Sequence, residues 1–111
     1  MAKNKDALFY FKLGTLIIQK DTTQVLKAAQ YLKKAIEMDP KMEDAYINIA
    51  TCYGMAKKYN EGIEILNVLL KVNPKNKDAY ILLGIIYNQM GDKVKAKEYT
   101  ELAKKLSTTG N

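Results

Sequence analysis

The chain has 111 residues, 48% hydrophobic and 27% charged, which suits one globular domain and is too apolar for a disordered segment. Its net charge is +6 and all 18 basic residues are lysine; without arginine, bidentate guanine readout and guanidinium stacking are scarcely available, so no specific nucleic-acid partner is expected. Histidine, cysteine-rich metal spacing, glycine-rich phosphate loops and nucleophile motifs are all missing, so neither catalysis nor any cofactor or metal is expected.

In chain order, residues 1–5 are polar and expected to be flexible. A first helix is predicted from about Asp6, which favours its dipole, to Gln19. Lys20-Asp21-Thr22-Thr23 then connects it to a second helix, with Thr22 or Thr23 able to cap. Val25, Ala28, Leu32, Ala35 and Ile36 form the inner stripe of that second helix. It ends at Met38-Asp39, because the residue before Pro40 is pushed away from helical geometry. Next come EDAYINIATCY from Glu43, a turn at Lys57-Lys58-Tyr59-Asn60, and EGIEILNVLLKV up to Asn73-Pro74. DAYILLGIIY follows, then a turn at Met90-Gly91-Asp92 where Gly91 is free to take a positive φ, and a last helix from Lys93 to Leu106. Residues 107–111 read as a flexible tail. Asp44 and Asp78 are expected to cap their helices or favour the dipole. Cys52, the single cysteine, can form no internal disulfide and reads as a small buried side chain.

Shifting the sequence by 34 restores the pattern: Asp44-Ala45-Tyr46-Ile47 meets Asp78-Ala79-Tyr80-Ile81, and Leu66 and Pro74 land on Leu32 and Pro40. The insertion between Gln19 and Val25 lengthens only the first unit. A period in this range marks a stacked repeat architecture, because one hairpin cannot bury its own apolar face. On Tyr46, Ile49-Ala50, Tyr53, Gly62, Leu66, Leu69 and Pro74 the pattern resembles the tetratricopeptide repeat. The resemblance covers nearly the whole chain as three repeats, about 7–42, 43–76 and 77–108, within one domain spanning 6–106. It implies an all-α, right-handed superhelix of three stacked antiparallel helical hairpins, with first helices lining a concave face. Small residues at Gly14, Ala50 and Gly84, and at Ala28, Gly62 and Ala96, let the helices of each hairpin approach closely. Tyr53, Tyr59, Tyr87 and Leu66 are expected to fill gaps between hairpins.

On that template a peptide-binding groove is expected from Leu8, Phe11, Lys12, Thr15 and Ile18. Asp44, Ile47, Asn48, Thr51 and Met55 continue it, followed by Asp78, Ile81, Leu82, Ile85, Asn88 and Gln89. Its apolar content suits a protein or peptide partner with apolar anchors rather than a chain-terminal carboxylate. The clamp by which chaperone-binding members hold an acidic C-terminus is matched only at Asn48. Phe11 and Thr15 replace its first pair, and Asp78 and Leu82 its last. The resemblance therefore implies a noncatalytic interaction scaffold. The alternative is a structural module, self-associating or part of a longer superhelix. Tyr99, Leu102 and Leu106 form one stripe on the last helix, expected to be the face a following hairpin would bury and hence a route to homo-oligomers. No apolar run approaches the roughly 20 residues of a membrane span, and the start lacks a signal-peptide core, so no membrane insertion and a cytoplasmic location are expected.

Overall fold

In a computed structural model, which describes residues 2–109 and side chains from 5 to 107, the protein forms six α-helices and one short 3₁₀ turn. They are α1 Ala2–Lys20, α2 Val25–Met38, α3 Glu43–Met55, α4 Tyr59–Val72, α5 Lys77–Met90 and α6 Lys93–Thr109. Of the ends expected to be flexible, 1 and 110–111 lie outside the described residues, whereas 2–5 and 107–109 continue α1 and α6. Because α1 begins at Ala2, Asp6 falls beyond its first turn, and no described acidic residue supports its dipole there. The turn after α3 is also shorter than expected, since Tyr59 and Asn60 already belong to α4.

The same few devices recur with the period. Asp39 and Asn73 close α2 and α4, their amides donating to Ala35 O and Leu69 O at 2.8 Å each. Their side chains then accept from the amides of Lys41 (3.2 Å) and Lys75 (3.0 Å), turning the chain around Pro40 and Pro74. The next hairpin braces each proline: Tyr46 donates its hydroxyl to Pro40 O at 2.8 Å, and Tyr80 donates to Pro74 O at 2.9 Å. Inside hairpins two and three the turn is a Schellman motif. Lys58 N donates to Tyr53 O at 2.8 Å and Asp92 N to Tyr87 O at 2.9 Å. That motif needs a left-handed residue, supplied by Gly91 at φ 90° but by Lys57 at φ 62°.

Capping differs from the sequence expectation. Asp21, not a threonine, starts the Thr22–Gln24 turn, its carboxylate accepting from the Thr23 amide (3.0 Å), the Thr23 hydroxyl and the Gln24 side chain. These hydrogen bonds hold the Asp21 carboxyl below its ordinary pKa, the Thr23 hydroxyl contributing most. Asn76 caps α5 by accepting from the Ala79 amide at 2.9 Å, while α3 has no side-chain cap at all. Asp44 and Asp78 instead occupy the first turns of α3 and α5, where negative charge suits the dipole.

Helices touch only their neighbours in the stack, α1 and α2 making no contact with α5 or α6 among the described residues. The core is accordingly two clusters rather than one. Val25, Ala28, Ala29, Leu32, Ile49, Cys52 and Tyr53 close the space between hairpins one and two. Tyr46, Ala50, Leu66, Leu69, Ala79, Leu83 and Ile86 do the same between two and three. The small-residue pairs meet as the spacing predicts. A Cβ on Gly14 would lie 3.0 Å from Ala28 O, one on Gly62 3.6 Å from Ala50 O, and one on Gly84 3.3 Å from Ala96 O. Leu66 and Tyr53 are buried between hairpins. Tyr59 and Tyr87 are half-buried, with the Tyr87 ring parallel to Tyr99 at 5.5 Å, inside the third hairpin.

Candidate functional site

The first helices lie side by side, α3 touching both α1 and α5. Asn48 bridges them, its side-chain amide donating to the Thr15 hydroxyl at 3.5 Å. Along this face Leu8, Lys12, Asp44, Met55, Asp78, Ile81, Ile85, Asn88 and Gln89 are exposed. Phe11, Thr15, Ile18, Ile47, Asn48, Thr51 and Leu82 are half-buried. Four of the larger ones lean into the protein: Phe11 and Ile18 pack on the first core cluster, and Ile47 and Leu82 on the second. Thr51 turns its hydroxyl onto Ile47 O at 2.9 Å, within its own helix. The apolar side chains offered to solvent are therefore Leu8, Met55, Ile81 and Ile85, the last two at 39% and 47% exposure.

Ile81, Ile85 and Asn88 come together in an open groove of about 650 Å³ between α5 and α6. Its other wall is α6, with Lys93, Lys97, Thr100 and Lys104. Lys93 donates to Asn88 Oδ1 at 2.7 Å across the groove. Neither Lys97 nor Lys104 carries a role in the sequence expectation. The period holds the missed signal. Lys97 stands where hairpins one and two have Ala29 and Ile63, Thr100 where they have Leu32 and Leu66, and Lys104 where they have Ile36 and Leu70. In the first two hairpins those side chains join the core clusters.

The stripe Tyr99, Leu102 and Leu106 lies elsewhere. Tyr99 stacks on Tyr87 and, at 6.4 Å, on Tyr80. Burial raises its phenol pKa above the ordinary value. Leu102 and the half-buried Leu106 border Tyr80 on the far side of α6. Leu102 corresponds to Lys34 and Val68, both exposed although a hairpin follows each. By the period, the Lys97–Thr100–Lys104 side of α6 corresponds to the side of α2 and α4 that joins the core clusters, whereas Leu102 corresponds to positions left exposed.

Two further groups bear on chemistry. Cys52 is fully buried, and that burial pushes its thiol pKa up to about 11, so it stays protonated at neutral pH. Glu43 accepts from Asn76 at 2.7 Å and Asn73 at 2.9 Å, which together hold its carboxyl below the ordinary glutamate value. It ties the start of α3 to the connection between α4 and α5. Among the described residues no acidic, histidine or cysteine group is arranged to hold a metal ion, and no helix is long and apolar enough to cross a membrane.

Comparison with known proteins places this architecture. A search of curated proteins finds no match to this chain. Among solved structures, MamA superimposes with a TM-score of 0.86 at 23% identity, covering 95% of this chain and 60% of that one. The first TPR of Spaghetti (RPAP3), solved with an HSP90 peptide, gives 0.85 at 20% identity, covering 96% of this chain and 82% of that one. The Yersinia enterocolitica type III secretion translocator chaperone SycD, in an alternative dimer, gives 0.86 at 13% identity, covering 95% and 78%. These likenesses establish the fold. Sequence models of the tetratricopeptide repeat match residues 21–73 and 77–109, and with its three stacked hairpins the chain belongs to the tetratricopeptide repeat family.

Proposed function

We propose that the protein is a noncatalytic interaction module whose face of first helices binds a peptide or helix through apolar side chains. The observation that carries this is the exposure of Ile81 and Ile85 one turn apart on α5, beside the polar Asn88 and Gln89. With 39% and 47% of their surface in water, each gains from a covering partner a little under half of the about 1.5–3 kcal/mol that full burial of such a side chain contributes. Support from similarity is general. The RPAP3 repeat domain holds a peptide, and the YrrB structure, at 20% identity and a TM-score of 0.83, is described as having an unusual peptide-binding site.

The test is selection of peptides displayed on phage against the wild type, followed by binding to Ile81→Asp plus Ile85→Asp. Enriched peptides should carry aliphatic or aromatic anchors, and the double variant should lose them while keeping wild-type helicity by circular dichroism. Peptides that bind the double variant equally well would remove this face as the site.

A further inference from the structure

Hairpins one and two each present a groove between their helices, and in each the first helix of the next hairpin fills it: α3 against α1 and α2, α5 against α3 and α4. The contact is close, since the Ile86 Cδ1 methyl of α5 lies 3.1 Å from where a Cβ on Gly62 would stand. The matching groove of hairpin three is the 650 Å³ space between α5 and α6. Its floor is small, made by Gly84, Ala96 and Ala103, as a helix backbone requires. Its charge is one-sided. Four lysines, Lys77, Lys93, Lys97 and Lys104, line it against one carboxylate, Glu101. Lys104 approaches Glu101 at 3.4 Å, both well exposed, while Lys77 and Lys97 make no ion pair among the described residues.

We propose that this groove takes an acidic amphipathic α-helix from another protein, its small apolar face on Gly84, Ala96 and Ala103 and its carboxylates against Lys97 and Lys104. A second copy of this chain does not fit. Stacked head to tail it would present α1, which carries Phe9 where the packed helices carry Ala45 and Ala79, and Lys12 where they carry Asn48 and Leu82, bringing bulk and a further lysine toward a lysine-lined wall. Lys93, Lys97 and Lys104 fall at spacings of four and seven on one side of α6. Carboxylates repeating at those intervals on the incoming helix would therefore meet them in register. The groove shares Ile81 and Ile85 with the concave-face reading, but the residues that decide this proposal, Lys97 and Lys104, are on a second helix.

The probe is a fluorescein-labelled synthetic amphipathic helix of about 18 residues, alanine and leucine on one face and glutamate on the other, with a lysine-for-glutamate twin. Anisotropy titrations should show the acidic peptide binding wild type. Lys97→Glu plus Lys104→Glu should weaken it about tenfold and let the lysine twin bind instead. Both positions are exposed, and circular dichroism should confirm unchanged helicity. Lys27→Glu plus Lys41→Glu, the same charge change at distant exposed lysines, should leave the affinity within about twofold. Equal loss in that control would reduce the effect to net charge and overturn the proposal. So would equal affinity of the two peptides for wild type. Phosphatidylserine vesicles that compete out the acidic peptide would put a lipid surface there instead. Lys97→Glu plus Lys104→Glu should leave the affinity of phage-selected apolar peptides within about twofold, which separates failure here from failure of the concave-face reading.

Discussion

Lys57 and Gly91 stand 34 residues apart at the same place in two Schellman turns, and only one of them is a glycine. A lysine at φ 62° brings its Cβ against the neighbouring carbonyl, at a cost of roughly 1–2 kcal/mol, part of which a glycine returns as freedom in the unfolded chain. Lys57→Gly should therefore stabilise the protein by about 0.5–1 kcal/mol and raise the melting temperature by a few degrees. A thermal melt followed by circular dichroism checks this, and an unchanged or lowered midpoint would mean the turn relaxes around the lysine at no cost. The glycine was legible in the sequence because Met90-Gly91-Asp92 is an ordinary stop signal. Its lysine counterpart was not, since nothing local marks Lys57 as left-handed. The caps were ambiguous for a related reason. Asp21, Thr22 and Thr23 are all competent acceptors in a row, and only the path of the chain selects Asp21.

At the scale of helices, close approach decides what the glycines tolerate. A Cβ on Gly14 would lie 2.7 Å from Leu32 Cγ and 3.0 Å from Ala28 O, a branch point and a backbone atom that cannot step aside. On Gly62 its nearest neighbour is the end methyl of Ile86 at 3.1 Å, which can rotate away. Gly14→Ala should thus cost about 1–3 kcal/mol despite the better helix propensity of alanine. Gly62→Ala should be near neutral, because that propensity, up to about 1 kcal/mol, offsets a small displacement. Urea unfolding of both variants measures the difference. Equal losses would mean that contact distance does not govern these sites. The pairing of small residues was readable because the same positions recur in every unit. Which side of the last helix a neighbour covers was not, because α6 is amphipathic on more than one face. Tyr99, Leu102 and Leu106 make an apolar stripe by spacing alone, yet Tyr99 spends its ring on Tyr80 and Tyr87. Only the comparison of Lys97 and Lys104 with Ala29, Ile63, Ile36 and Leu70 separates the stacking side from the outer side.

Over the whole molecule, a stack in which only neighbours touch has no single core whose loss unfolds everything at once. Hairpin two is covered on both sides and contributes Ile49, Cys52, Leu66 and Leu69, all fully buried. The ends differ from each other. α1 sends Phe11, Ile17 and Ile18 onto the first cluster, although Phe9 at 60% and Leu16 at 48% exposure face outward. Among the described residues, α6 buries nothing larger than alanine, at Ala96 and Ala103, and only its Tyr99 packs on the second cluster. Local opening should therefore be easiest at α6, intermediate at α1 and rarest in α3 and α4. Native-state hydrogen exchange read by mass spectrometry should show this order, with α6 amides exchanging about tenfold or more faster than those around Ile49 and Leu66. Addition of the acidic helical peptide should slow α6 selectively, because it would supply the neighbour that α3 and α5 supply to the first two hairpins. Uniform exchange across all six helices would show instead that the short stack opens as one unit, and that the two clusters are coupled more strongly than their separate contacts imply.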